Sequence, residues 1–497
     1  FEGLMKWEDS GEAANGSDGT ADSGKLVPGQ AESYEKTENE DGTVTYTFKL
    51  RDGIKWSDGK DVTAGDFEYS WKRLVNPETA ADYNYMLDGV VNATEIMAGE
   101  KDPDELAAKA LDDKTFEVTL VNDLNYFEEL CAFPAMMPVR EDMIEKAGDQ
   151  WTFDTATYIS NGAYKLKEWT HNSQIVVEKN ENYYDVENLG PETITFKLMD
   201  DQNAMLSGFN SGELDFIEDV PQAEIANLIA SGDMKIVDYI GTYYVCFQTQ
   251  KAPFDDPRVR KAFSLAIDRT YIVNQVTQSG QVEAGGFVPS GVYDADGADG
   301  DDFRTVGGDY YKPTDADYEA NCDEARQLLA DAGYPNGEGF PVVEYLYNTS
   351  DAHKAVAEAL QFMWEEELGV KVTLNNQEWA AFLQTRKDGD YSIARNGWIA
   401  DYNDPISFLD MWMTGGGNND AQYANDDYDA LIKQAKTTTD NAERMDLLHQ
   451  AEDKLIGEDS VLAPLYFYTQ KYMLADGIEG MYYCPLGYFF FGYTHQA

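Results

Sequence analysis

Residues 394–405 read ARNGWIADYNDP. Arg395 opens the stretch, Asp401 follows six positions later, Trp398 and Tyr402 stand close to it, and Asn-Asp-Pro closes it. In an extended chain, residues of equal parity share a face. A strand through this stretch would therefore turn Arg395 and Asp401 to one side. At a rise of ~3.3 Å per residue their Cα atoms lie ~20 Å apart. Read alone, the residues favour a plainer account, in which both charges pair with neighbours elsewhere or the strand bends.

On either side, strands and helices alternate. VKVTL (370–374) reads as a strand, 378–387 as a helix and YSIARNGW (391–398) as a strand. Helices are predicted over 322–332 and 351–368, each stopped by a glycine, Gly333 and Gly369. Asp256-Pro257 supplies an N-cap and a first-turn proline for another. Two acidic helices follow at about 426–436 and 441–457, and LAPLYFYTQKYMLA closes the region as a strand. Upstream, TVTYTFKL (43–50) and KTFEVTL (114–120) alternate like strands, and Thr63 with Asp66 forms a helix-start box for 63–74. GAYKLKEWT and SQIVVEKN (162–180) pair as a hairpin, and ETITFKLM (192–199) adds a strand before a helix that ends at Gly212. Such alternation implies α/β lobes with mixed β-sheets flanked by helices. Residues 8–31, rich in Gly, Ser and acids, read as a loop or insertion.

Composition narrows the function. A chain of 497 residues exceeds one hydrophobic core, so two or three domains are expected. A net charge of −55 makes nucleic acid and anionic membrane surfaces poor partners. Cys131, Cys246, Cys322 and Cys484 form no zinc pattern, though they allow one disulfide, and four His exclude a His-rich metal site. The acidic loop 293–303 fails as a calcium motif, which needs an oxygen side chain where Ala298 stands and glycine where Asp299 stands. No cofactor is implied. No apolar run approaches the ~18 residues of a membrane helix. The opening FEGLM reads like the middle of an element, so preceding residues, including any export signal, are expected to be missing.

Several stretches together resemble one family, the extracytoplasmic oligopeptide-binding proteins of bacterial ABC importers. They are FEGLM (1–5), YTFKLRDGIKWSDGKDVTAGDFEYSWKRL (46–74), NGAYKLKEW (161–169), SGELD (211–215), KAPFDDPRVRKAFSLAIDR (251–269), YNTSDAHK (347–354), QEWAAFLQTR (377–386) and ARNGWIADYNDP. The resemblance implies a bilobal clamshell of the class II periplasmic-binding type with an extra domain. Its parts would be a second lobe at 2–158, a discontinuous central lobe at 159–240 plus 470–497, and a far, ligand-clamping lobe at 241–469. It also implies an oligopeptide ligand and ABC permease subunits as partners, a monomer, an extracytoplasmic location, and membrane contact only through a lipid anchor.

Carried over residue by residue, the resemblance places Asp401 at the peptide ammonium and Arg395 toward its carboxylate. Arg386 and His353 would help hold the carboxylate. Trp379, Trp398 and Tyr85 would line the pocket, with Ile399 among the contacting positions and Glu218 and Asp219 near the ligand backbone. Trp379 and Arg386, seven apart in a helix, share a face. Three departures stand out. Gly241 and Ile399 occupy positions joined by a disulfide in Gram-negative members. Cys246 replaces an acidic pocket residue and Thr277 a lysine. In the family an N-terminal segment supplies a strand to the site, and that segment is expected to be missing here. Rival readings are the same fold holding oligosaccharide, nickel or haem, and a secreted hydrolase built on paired carboxylates. No G-x-S-x-G, H-E-x-x-H or phosphate loop supports an enzyme.

Overall fold

The computed structural model describes residues 1–13, 22–297, 300–312 and 315–497. The calcium-loop question at 298 and 299 therefore lies outside the described residues. Two compact units emerge, residues 1–220 with 472–497, and residues 221–471. Segments 2–158 and 159–220, expected in separate lobes, fall within the first unit, and 221–240 falls within the second.

In the first unit, Val44–Leu50 pairs antiparallel with Ala31–Glu38 on one side and Thr115–Leu120 on the other, and Ala108–Asp112 completes the sheet. The alternation read from the sequence is the burial pattern: Val44, Tyr46, Phe48 and Leu50 are inside. Helix Ala64–Val75 starts at the Thr63 capping box, where Asp66 Oδ2 accepts the Thr63 N–H at 2.8 Å. Its buried Trp71 meets Phe116 edge to face at 5.2 Å.

Around the loop or insertion expected at 8–31, Met5–Ala13 pairs antiparallel with Asp22–Pro28. Its composition misleads because the support is distant in sequence. Asp22 and Ser23 pair with Tyr482 and Tyr483, in a strand that continues the sheet to Tyr488–Phe490. A third sheet runs Tyr164–Thr170, Gln174–Lys179, Thr193–Lys197, all antiparallel.

The second unit is built on a mixed sheet ordered Leu462–Leu474, Lys235–Phe247, Ile393–Ile399, Val343–Asn348, Val372–Gln377. Val343–Asn348 runs parallel to both of its neighbours. Helix Asp351–Leu368 buries Leu360 and Trp364 beside Phe263 and Tyr345, and Trp364 Nε1 donates to the Phe263 carbonyl at 2.8 Å. The predicted cap is present at Asp256, whose side chain accepts the Arg258 N–H. All four cysteines are buried and free. Among the described residues no helix is long and apolar enough to cross a membrane, and no cluster of His, Cys, Asp and Glu is arranged to hold a metal ion.

One buried carboxylate ties the unit together. Glu452, 0% exposed, accepts the N–H groups of Phe287 (2.7 Å) and Val288 (2.8 Å) and pairs with Arg304 at 2.8 Å. Glu452→Ala leaves these donors buried without their acceptor and should cost ~3–5 kcal/mol in urea unfolding. Glu452→Gln, which keeps an acceptor, should cost less. A loss for Glu452→Ala below ~1 kcal/mol, the scale of an exposed pair, would contradict this role.

Candidate functional site

The strand that opens the sequence analysis lies inside its sheet. It ends at Ile399, short of Asp401, and residues 401–404 form a bend. Arg395 and Asp401 therefore do not share one strand, and equal parity does not place them on one face. Asp404 and Ser407 cause the turn. Asp404 Oδ1 accepts the Ile406 N–H at 3.0 Å and Ser407 Oγ accepts the Asp401 N–H at 2.9 Å. The Ser407 carbonyl accepts Trp398 Nε1–H at 2.7 Å, so one residue fixes both Trp398 and Asp401. Arg444 holds Asp404 through two hydrogen bonds, at 2.8 and 2.6 Å, in a buried pair. Asp401 itself is 8% exposed.

Half of this strand keeps one edge open. Val343–Asn348 pairs with it only at Ile393 and Ala394, whereas Lys235–Phe247 pairs along Ile393–Ile399. Ala400 N–H donates to the Ile240 carbonyl, and bonded pairs alternate in an antiparallel ladder. Arg395, Gly397 and Ile399 thus turn their main-chain groups to the other side. The Arg395 carbonyl accepts Arg386 Nη1 at 3.4 Å and Gly397 N–H donates to Asn396 Oδ1 at 2.8 Å. Beyond them, among the described residues, no strand pairs with Gly397 or Ile399 on that side.

Arg395 sits at the start of this edge in a cage of tyrosines. Its guanidinium lies 5.2 Å from the Tyr243 ring. Tyr243 stacks on Tyr466 at 4.9 Å, and Tyr468 closes edge-on at 6.1 Å. Arg395 Nε is buried without a hydrogen-bond partner, and no carboxylate pairs with the side chain among the described residues. Gly397 makes the cage possible, since a Cβ there would stand 2.3 Å from Tyr468 Oη. His353 lies in the first turn of its helix, where Ser350 Oγ accepts its N–H. Its Nδ1 is 3.4 Å from Tyr243 Oη. Burial, then the nearby charges of Arg395 and Lys471, push the imidazole down to about 2, so the ring is neutral.

Arg386 is 7% exposed and paired with Asp420 at 3.3 Å. The shared face predicted for Arg386 and Trp379 is bridged by Phe382, which stacks on Trp379 at 5.8 Å and carries the Arg386 guanidinium at 4.6 Å. Trp379 is 53% exposed. Cys246 touches Tyr391 Oη at 3.2 Å, and burial pushes its thiol up to about 12. Gly241 faces Ile399 across the ladder, and a Cβ on Gly241 would meet Ile399 Cδ1 at 2.4 Å. The isoleucine fills that space in place of a disulfide.

The second unit thus holds seven of the predicted residues, Asp401, Arg395, Arg386, His353, Trp379, Trp398 and Ile399. Tyr85, Glu218 and Asp219 lie in the first. Tyr85 is half-buried and stacks on Tyr83 at 5.7 Å, and Glu218 and Asp219 line a cavity of about 880 Å³. The tyrosine cage and Ser407 are not among the residues that the sequence reading singles out. The alternating aromatics of TYYV (242–245) and LYFYTQK (465–471) were the available signal.

The model of the bacterial extracellular solute-binding proteins, family 5 Middle, matches residues 25–420. The chain belongs to this family. It is 39% identical to the periplasmic oligopeptide-binding protein OppA of Salmonella typhimurium, across 92% of this chain and 82% of that one. It is 36% identical to the dipeptide-binding protein DppE of Bacillus subtilis, across 89% and 80%. Among solved structures, Haemophilus influenzae OppA in complex with RPPGFSPFR superposes with a TM-score of 0.88 at 32% identity, covering 100% of this chain and 92% of that one.

Two measurements check the site. Gly397→Ala should displace Tyr468 and cost ~1–3 kcal/mol of stability, read by urea unfolding, and an unchanged midpoint would contradict the close approach. His353 is neutral in the folded chain but binds a proton below about pH 6.5 when unfolded. The unfolded state then holds more protons, so this histidine lowers stability as pH falls from about 6.5 toward 2. The melting temperature of His353→Gln should fall less than that of the parent between pH 7 and 5.5. Parallel curves would contradict a neutral His353.

Proposed function

We propose that this protein captures short oligopeptides, about three to five residues long and with little sequence preference, outside the cytoplasmic membrane and delivers them to an ABC importer. It acts as a monomeric receptor whose partners are the peptide and the permease subunits. The observation that carries this reading is a buried guanidinium with no carboxylate beside it, at the head of a half-open strand edge whose far end is followed by a buried carboxylate.

A peptide offers three features independent of its sequence: an ammonium, a carboxylate, and alternating N–H and C=O groups. Arg395 receives the carboxylate through a charge-assisted pair. His353, neutral and adjacent, adds a hydrogen bond to it. The outward Gly397 carbonyl and the outward main-chain groups of Ile399 accept the peptide as an added strand. Asp401, fixed by Ser407, receives the ammonium. Trp398 and the exposed Trp379 supply adaptable apolar walls. The relatives named above as oligopeptide- and dipeptide-binding support the substrate class.

Thermal shift and calorimetry with tri- to pentapeptides test this reading, since a ligand seen only by the native state raises its melting temperature. Arg395→Ala should cost ~2–5 kcal/mol for a free-acid peptide, and Asp401→Asn a similar amount for a free-amine peptide. C-terminal amidation should remove the first loss and N-acetylation the second. Equal affinity of the parent protein for free, acetylated and amidated peptides would overturn the assignment.

A further inference from the structure

Between the closed and the open part of the Ile393–Ile399 edge lie two main-chain groups, the Arg395 carbonyl and the Gly397 N–H. Val343–Asn348 pairs no further than Ala394, and these two groups come next on that side. Each is taken by a side chain. Arg386 Nη1 donates to the Arg395 carbonyl at 3.4 Å, and Asn396 Oδ1 accepts the Gly397 N–H at 2.8 Å. Both side chains lead to one atom. Asp420 Oδ2 lies 3.3 Å from Arg386 Nη2 and accepts Asn396 Nδ2–H at 3.2 Å. The Asn396 amide thus spends its oxygen on the strand and its nitrogen on the carboxylate, the orientation that satisfies both partners.

Asp420 comes from outside the sheet, and its place is fixed. Its carbonyl accepts Tyr391 Oη–H at 2.7 Å, and the Ala421 carbonyl accepts both the N–H and the Oγ1–H of Thr249 at 3.0 Å. Arg386 and Asn396 are buried, and Arg386 Nε has no hydrogen-bond partner. With Asp420 beside it Arg386 is already paired, whereas Arg395 has no carboxylate partner among the described residues. An incoming carboxylate is therefore drawn to Arg395, and a peptide lying along the edge meets the Gly397 carbonyl as its first uncapped acceptor.

We propose, resting on the oligopeptide reading, that Asp420 is a specificity-determining residue: by holding Arg386 and Asn396 over the strand it fixes where ligand pairing starts and so limits peptide length on the carboxylate side. In this role Arg386 caps the strand and does not itself hold the ligand carboxylate. Calorimetry with alanine peptides of three and six residues, both termini free, tests the assignment. Arg386→Ala/Asp420→Ala removes both charges together, leaves neither buried and unpaired, and uncovers the Arg395 carbonyl and the Gly397 N–H. Affinity for the hexapeptide relative to the tripeptide should rise about tenfold, the scale of two further main-chain hydrogen bonds. If that variant does not fold, Asn396→Ala, which uncovers the Gly397 N–H alone, should raise the ratio about threefold. Asp420→Asn, which keeps an oxygen for both donors, should leave the ratio as in the parent. A ratio unchanged or lowered in the first two variants, or raised as far in Asp420→Asn, overturns the role of Asp420 while peptide capture stands. Binding of neither peptide by the parent overturns both.

Discussion

A positive charge held among tyrosines, with no carboxylate beside it, is the constraint around which the second unit is arranged. Removing a guanidinium from water costs several kcal/mol unless something offsets it. Here ring faces offset part of the cost, with Tyr243 beneath Arg395 and Tyr466 and Tyr468 around it. That arrangement dictates its neighbours. Gly397 must lack a side chain so that Tyr468 can approach, and His353 stays neutral first because it is buried and then because Arg395 lies nearby. The charge deficit left in this cage suits an incoming anion.

The rest of the strand follows from how its sheet is paired. Complete pairing on one side holds the strand in place, and incomplete pairing on the other leaves main-chain groups available. Ser407 couples the tryptophan at its end to the acidic residue beyond it, so the turn is as defined as the strand. The proposed recognition of backbone and termini would let one site accept many peptides, their side chains facing adaptable aromatic walls. The membership in family 5 agrees with this economy.

Local chemistry was legible in the sequence and long-range pairing was not. Thr63 with Asp66, and Asp256 with Pro257, announce helix starts because caps are made by neighbours a few residues apart. The pairing of Met5–Ala13 with Asp22–Pro28 is not legible locally because its support comes from Tyr482 and Tyr483 near the other end of the chain. Arg395 and Asp401 both lie in the second unit, but not in one strand. Parity predicts a shared face only while a strand lasts, and Asp404 and Ser407 end this one at Ile399. The cage drew Tyr243, Tyr345, Tyr466 and Tyr468 from three strands, and no single stretch of sequence carries that convergence.

The most direct measurement is a crystal structure of the protein with a bound tripeptide bearing both free termini. The account predicts the ligand carboxylate within hydrogen-bond distance of the Arg395 guanidinium, its main chain paired with Gly397 or Ile399, and its ammonium at Asp401. A peptide bound in the opposite direction, or bound with Arg395 still enclosed by tyrosines alone, would contradict it.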